Sequence, residues 1–299
     1  MTRRCAALLL ALVAFPALAA GDAGEQLGRL RHALETLQYQ GVFVYLHDGQ
    51  VDSMQVSRSI GPKGSREHLV SLTGDRRQVL REGNSVQFLL PAGLMTLTSG
   101  RDAGAGADAR ALSQAAAQYD IRIAGHSRVA GYEAAVLDAL PRDDLRYGYR
   151  LWIERETGML LGSALLDRQG KAIEQLMFTS LDMKPAPAGA DAATPPAAPA
   201  VAATPGEWSA DLPEGFQLIA RPAAEQDAEH QLYSDGLANI SLYVEPLRDE
   251  SADWTGSSRR GAIAVVGRVR GGYHVVVMGD LPVATVERIA DSAQPRLPQ

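Results

Sequence analysis

The chain has 299 residues, enough for two domains of ordinary size, and a formal net charge of −6 at pH 7. An acidic chain without a run of lysine and arginine is a poor candidate for binding nucleic acid. The single cysteine, Cys5, lies in an N-terminal segment expected to be removed. Without it the chain has no disulfide, no thiol nucleophile and no cysteine-bound metal.

The first 19 residues predict a signal peptide for export. Arg3 and Arg4 form its charged start, residues 6–15 its apolar core, and 17–19 a small-x-small cleavage site. The core is too short to span a bilayer, and its leucine-rich composition favours general secretion over the twin-arginine route. Cleavage would remove both arginines and bring the formal charge to −8.

A helix and then an antiparallel sheet are predicted for the next part of the chain. Leucines recur at helical spacing over residues 22–38, and Asp48-Gly49 is a strong hairpin signal. Strands are predicted over residues 40–47, 51–59, 68–72, 78–81, 85–90, 121–123 and 134–139. An interruption is expected between Ala92 and Tyr119, with a Gly/Ala-rich stretch over 101–108 and a short helix over 109–118.

Residues 147–181 predict three further strands joined by tight turns at 156–158 and 167–170. Each turn ends in glycine, as expected where the backbone needs positive φ. These strands carry bulky apolar side chains on both faces, and Trp152 shares a face with Arg150 and Glu154. A sheet with one wet face would alternate cleanly. Helices could cover one face, and a concave second face could hold an apolar ligand.

The fold class predicted is α+β. About nine or ten strands and two helices over residues 20–183 indicate an unclosed antiparallel β-barrel with helical cover. Residues 184–206 contain six prolines and ten alanines and predict an extended linker. Residues 207–294 predict a smaller domain, in which a sheet of four or five antiparallel strands packs against a terminal helix that starts at Pro282.

A search for reactive groups returns little. The six histidines have no ligand spacing, and no nucleophile–base pair is visible, so we expect no metal, no cofactor and no enzymatic activity. The arginine pairs 259/260 and 268/270 could meet phosphate or carboxylate groups, although the wet face of a hairpin explains them equally well.

Six motifs together resemble the MucB/RseB family of periplasmic regulators of sigma-E, called AlgU in some systems. They are residues 39–45 (YQGVFVY), 76–84 (RRQVLREGN), 149–153 (YRLWI), 165–167 (LLD) with Gly170, 212–216 (LPEGF) and 233–237 (YSDGL). The resemblance runs over essentially the whole mature chain, and the last two motifs after a proline-rich linker are the most specific.

The resemblance implies a LolA-like first domain and a second domain that helps to hold the periplasmic part of a membrane-bound anti-sigma factor (RseA/MucA type). Such a regulator shields its partner from the initiating protease, and lipopolysaccharide or mislocalised lipoprotein is thought to release it. The implied location is the periplasm. The sequence leaves a homo-oligomer open and indicates no membrane span beyond the signal.

Two sets of site residues are predicted. A lipid pocket in the first domain would be lined by Phe43, Tyr45, Leu69, Phe88, Leu90, Trp152, Leu160 and Phe178. A partner site in a cleft between the domains would use Tyr233, Asp235, Tyr243 and Arg260. Two other hypotheses remain: a periplasmic carrier of lipoprotein or lipid, and a hydrolase with an unrecognised site.

Overall fold

A computed structural model describes residues 23–61, 64–82, 85–90, 93–98, 115, 117–185, 206–221, 228–247 and 254–296, with the backbone alone over 85–98. The predicted signal peptide and almost all of the predicted linker lie outside these residues. The described residues form two antiparallel sheets of eleven and six strands, a two-stranded ladder, two complete helices and three further helical residues at 115, 117 and 118.

The large sheet is built from the first half of the chain. Helix α1 and strands β1 to β11 comprise α1 Ala23–Thr36, β1 Leu37–His47, β2 Gln50–Gly61, β3 Gly64–Ser71, β4 Gln78–Glu82, β5 Ser85–Leu90, β6 Gly93–Thr98, β7 Tyr119–Val129, β8 Tyr132–Pro141, β9 Gly148–Glu154, β10 Leu160–Leu166 and β11 Ala172–Pro185. The strand order is β6-β5-β4-β3-β2-β1-β11-β10-β9-β8-β7. Within the described residues β6 and β7 do not pair, so the sheet is unclosed, as predicted.

Helix α1 covers part of this sheet because its apolar residues recur on one side. Leu30 packs with Leu137 and Ile153, while Ala33 belongs to the buried cluster around Phe43. The predicted helix is two residues too long at its C-terminus, because Leu37 already pairs with Pro185 as the first residue of β1.

The predicted hairpins are confirmed where turn chemistry was strong. The turns after β9 and β10 end in Gly158 and Gly170, with φ of 80° and 75°. The interruption predicted from Ala92 was wrong at β6, a strand that pairs with β5. Of the predicted helix over 109–118, only Ala115, Ala117 and Gln118 are described, and they are helical.

The second sheet is formed by the C-terminal part of the chain. Its elements are β12 Trp208–Ser209, β13 Gln217–Ala220, β14 Glu229–Ser234, β15 Asn239–Pro246, β16 Gly256–Arg260, β17 Ile263–Arg270, β18 Tyr273–Gly279, α2 Val283–Ser292 and β19 Gln294–Pro295. The six-stranded order is β13-β14-β15-β18-β17-β16, and β12 pairs with β19. The prediction of four or five strands was too low because β16, a polar edge strand, was missed.

One face of this sheet packs against α2, and the side chains show why. In β15, Ile240, Leu242 and Val244 alternate with polar residues and are fully or almost fully buried. They form one core with Val286 and Ile289 of α2. The opposite face, which points away from α2, is called the outer face below. Among the described helices, neither has the length and apolar character needed to cross a membrane.

Candidate functional site

A row of apolar side chains crosses the large sheet where the lipid pocket was predicted. Phe43 of β1 pairs with Phe178 of β11, and their rings meet edge to face at 5.7 Å. Because side chains alternate along a strand, Tyr45 lies on the same face as Phe43. Val56 of β2 also lies on this face by register and pairs with Leu69, so Leu69 lies there too. Phe43 and Phe178 are only 6% and 7% exposed, so the middle of this row is already packed.

The other predicted pocket residues do not all join this row. Trp152 pairs with Gly162, which pairs with Met177, so its register is one position out of phase with Phe178. It nevertheless packs, partly buried, against the same cluster as Phe43 and Phe178. Leu160 packs in the cluster under α1. Phe88 and Leu90 lie in β5, where the backbone alone is described, and Phe88 pairs with Val79.

An open cavity of about 270 Å³ lies on the other face of the same sheet. Its lining is mostly polar and consists of Ser57, Ser59, Arg66, His68 and Leu80. Ser57 pairs with His68, one residue out of phase with the Val56–Leu69 pair, so this lining faces away from the row around Phe43. None of the six predicted pocket residues whose side chains are described lines it.

The two sheets meet at a junction built around Arg146, whose side chain is fully buried. Its Nη1 donates to Asp235 Oδ2 at 2.5 Å, and its Nη2 donates to the Glu214 carbonyl at 2.8 Å. The guanidinium also lies 5.3 Å from the ring centre of Phe216. Asp235, Glu214 and Phe216 belong to the C-terminal part of the chain. Arg146 therefore holds that part against the turn after β8.

A second carboxylate of the C-terminal part lies beside this ion pair. Asp280 accepts from the Asn239 amide at 2.6 Å and from the Tyr149 hydroxyl at 3.4 Å. Tyr119 donates to Asp235 at 3.2 Å, and its ring contacts that of Tyr149 at 6.0 Å. Burial raises the pKa of Asp280 to about 6, and it raises the pKa of both tyrosines. The tyrosines therefore remain proton donors at neutral pH.

The turn between β16 and β17 makes a second contact with the large sheet. The Gly261 amide donates to Asp48 Oδ2 at 2.7 Å, and the Ala262 amide donates to Glu174 Oε1 at 2.5 Å. Ala262 is buried with Tyr147 and Leu165. The two domains are thus joined at two separate points.

The structure separates the four predicted partner residues. Tyr233 is buried in the core under α2, with its hydroxyl bonded to Gln231, and Asp235 is fully buried in the junction. Neither is accessible to a partner in this arrangement. By strand register Tyr243 and Arg260 both lie on the outer face, where Arg260 is exposed and Tyr243 is partly buried against His230.

The outer face carries more exposed apolar surface than the sequence analysis assigned to it. Ile263, Val269 and Met278 share this face by register and are 41%, 41% and 44% exposed. Trp254 is similarly exposed, at 44%, and it lies so close over Gly267 that a β-carbon at residue 267 would overlap it. We call Trp254, Ile263, Val269 and Met278 the outer apolar stripe. Of the predicted arginine pairs, Arg268 and Arg270 bond to Asp291 of α2.

The junction residues were missed from the sequence for identifiable reasons. Arg146 and Asp143 are close in sequence and typical of a solvated turn, and nothing local indicates that the guanidinium is buried. Asp235 belongs to an Asp-Gly hairpin turn, whose side chain was expected to face a partner. Its Oδ1 instead accepts from the Leu237 and Ala238 amides within its own turn. The residues described contain no group of three metal-ligating side chains.

These features define a class of protein: two docked domains of antiparallel sheet, the smaller of which carries an exposed apolar stripe. The chain belongs to the MucB/RseB family. The model of the MucB/RseB N-terminal domain matches residues 22–199, and that of the MucB/RseB C-terminal domain matches residues 202–294.

Characterised relatives match along nearly the whole length. The chain is 34% identical to the sigma factor AlgU regulatory protein MucB of Pseudomonas aeruginosa, over 96% of each chain. It is 29% identical to the sigma-E factor regulatory protein RseB of Haemophilus influenzae, over 91% of each. Among solved structures, MucB of the Pseudomonas aeruginosa MucA/MucB complex superposes with a TM-score of 0.70 at 31% identity, over 93% of this chain and 100% of that one.

Proposed function

We propose that this protein is a periplasmic regulator of the envelope-stress response. It binds the periplasmic part of an anti-sigma-E factor and shields that part from regulated proteolysis. The observation that carries the proposal is the likeness, along 93% of this chain, to MucB solved in complex with MucA(peri). The relatives named as sigma-factor regulatory proteins support the same function.

We propose the outer face of the C-terminal sheet as part of the contact surface. Exposed apolar patches on soluble proteins commonly mark interaction sites. The outer apolar stripe offers such a patch, and Arg260 beside it could pair with a carboxylate of the partner. Of the four predicted partner residues, Tyr243 and Arg260 are the two retained in this proposal.

We also propose that an acyl chain of lipopolysaccharide or of a mislocalised lipoprotein is the release signal. Burial of an acyl chain yields about 0.8 kcal/mol per CH₂ group. Because Phe43 and Phe178 are packed together, a chain along their row would have to move side chains or α1. Such movement makes the structure of the lipid-bound protein differ from that of the lipid-free protein. A ligand can shift partner binding only if it has different affinities for the partner-bound and partner-free states.

The test of the regulator hypothesis uses the mature protein, the periplasmic segment of the anti-sigma factor and the initiating protease. We expect the protein to slow cleavage of the segment and lipopolysaccharide to restore it. Cleavage at the same rate with and without the protein would refute the regulator function. Transfer of labelled lipoprotein to an acceptor, without protection, would indicate the carrier instead.

A substitution tests the contact surface separately. We expect Met278→Glu to weaken binding of the anti-sigma segment at least about tenfold, because it places a charge in the outer apolar stripe. Leu72→Glu is the matched control, since Leu72 is similarly exposed, at 50%, but lies beyond β3 in the other domain. Titration of a labelled segment measures both. If the two variants bound the segment with equal affinity, the outer face would not be part of the contact surface.

A further inference from the structure

The junction between the domains contains an imbalance of charge. It brings together two carboxylates, Asp235 and Asp280, and of these two the guanidinium of Arg146 bonds to Asp235, while it also pairs with Asp143 of its own turn. Asp235 is fully buried and Asp280 is partly buried. Two carboxylates that share a site of low dielectric cannot both ionise without cost.

We propose that this junction is a proton-responsive latch, in which uptake of one proton by Asp280 strengthens the docking of the two domains. The domains then separate more readily at neutral pH than in a mildly acidic periplasm. The latch involves residues of this chain only, so its test does not require the proposed partner and is independent of the proposed function.

The groups that face Asp280 come from both domains. Its own domain supplies the Asn239 amide and the carboxylate of Asp235, and the other domain supplies the Tyr149 hydroxyl and, further away, that of Tyr119. Neither hydroxyl carries charge at neutral pH. Both bonds to Asp280 survive protonation, because Oδ1 still accepts from the amide and the Tyr149 oxygen can accept as well as donate. Protonation therefore removes repulsion without breaking a contact.

The direction of the pH effect follows from linkage. Burial raises the pKa of Asp280 from 3.8 to about 6, and separation would remove the cover that Tyr149 supplies, so the docked state binds this proton more tightly than the separated state. Docking therefore strengthens as the pH falls through about 6 and weakens as it rises. A difference of two pKa units limits the change in the docking equilibrium to about a hundredfold.

The experiment uses the absence of cysteine from the mature chain. Ser180→Cys in β11 and Ser257→Cys in β16 are both exposed and carry one spin label in each domain. Distance distributions between the labels report the docked fraction. At about pH 5 we expect one narrow distance, and at about pH 7.5 a second, broader population that is at least several times larger than at the lower pH.

Asp280→Asn provides the decisive variant. The side-chain oxygen of the new asparagine still accepts from the Asn239 backbone amide, and residue 280 carries no charge at any pH. We expect its distance distribution to match that of the acidic wild type at both pH values. Asp211→Asn, at an exposed aspartate of the same domain, should retain the wild-type pH dependence. The latch is refuted if the wild-type distribution is the same at both pH values, or if Asp280→Asn keeps the pH dependence.

Discussion

At the scale of single residues, Arg146 is the most consequential side chain in the structure. It is fully buried, it bonds to Asp235 and Asp143, and it lies over the rings of Tyr119 and Phe216. A buried ion pair adds little over a well-packed apolar pair, but removing one partner leaves the other charge unpaired. Asp235 is the charge that would be left.

We therefore predict that Arg146→Met lowers the free energy of unfolding by about 3–5 kcal/mol. Urea unfolding of the mature protein measures this. Arg168→Met is the control, because Arg168 pairs with Asp144 on the surface with both side chains more than half exposed. Its cost should stay below about 1 kcal/mol. Similar costs for the two variants would mean that the junction contributes no more than a surface pair.

The residue scale is also where sequence interpretation was weakest. Asp235-Gly236 was recognised as a turn, and the turn exists with Gly236 at φ 104°. The Asp235 side chain is buried because it pairs with Arg146, which is 89 residues away in the chain. No local pattern encodes such a pairing, so a residue that anchors the fold was assigned to a partner site.

At the scale of secondary structure, the turn between β9 and β10 positions helix α1. Gly158 has positive φ, and a β-carbon there would collide with the backbone of Arg29 in α1. Arg29 also donates to the Arg155 carbonyl at 2.6 Å, so helix and turn are joined at close range. The glycine is required twice, once for its conformation and once for the approach of the helix.

A pair of glycine substitutions separates these two requirements. Gly170 has nearly the same φ, but nothing lies within 4 Å of a β-carbon placed there. Gly170→Ala should cost only backbone strain, about 1 kcal/mol, whereas Gly158→Ala should cost about 1–3 kcal/mol more through overpacking. Thermal unfolding followed by circular dichroism gives the comparison. A Gly158→Ala variant as stable as Gly170→Ala would show that α1 moves away without penalty.

Elements were predicted well where two independent signals agreed. β15 combines strict alternation with an Asp-Gly turn, and β9 to β11 combine apolar runs with glycine-ended turns. β6 was missed because it follows Pro91, a residue typical of the end of a strand, and β16 because its Ser and Arg residues carry no apolar pattern. In β16 the pairing with β17 determines the strand, which short-range sequence cannot reveal.

At the scale of the whole molecule, two regions of sheet could be predicted from the sequence, but the docking of the two sheets could not. The contacts that fix it join residues that are far apart in the chain, such as Asp48 with Gly261 and Glu174 with Ala262. Each uses a backbone amide as the donor, so no side-chain type in the turn between β16 and β17 signals the contact. The composition of the predicted pocket could not be predicted from the sequence either. The strand register at two β-bulges determines which of the predicted pocket side chains share a face.

The position of β11 in the large sheet has a consequence for how the protein reaches this state. β11 is the last strand of that sheet in the chain, yet it lies at the centre, paired with β1 on one side and β10 on the other. While the chain is completed from its N-terminus, β1 has one open edge until about 130 further residues have followed. Long-range antiparallel closure is slow, in the range of milliseconds to seconds. A chain that is not yet complete is therefore open to aggregation through the unpaired edge of β1 during that interval.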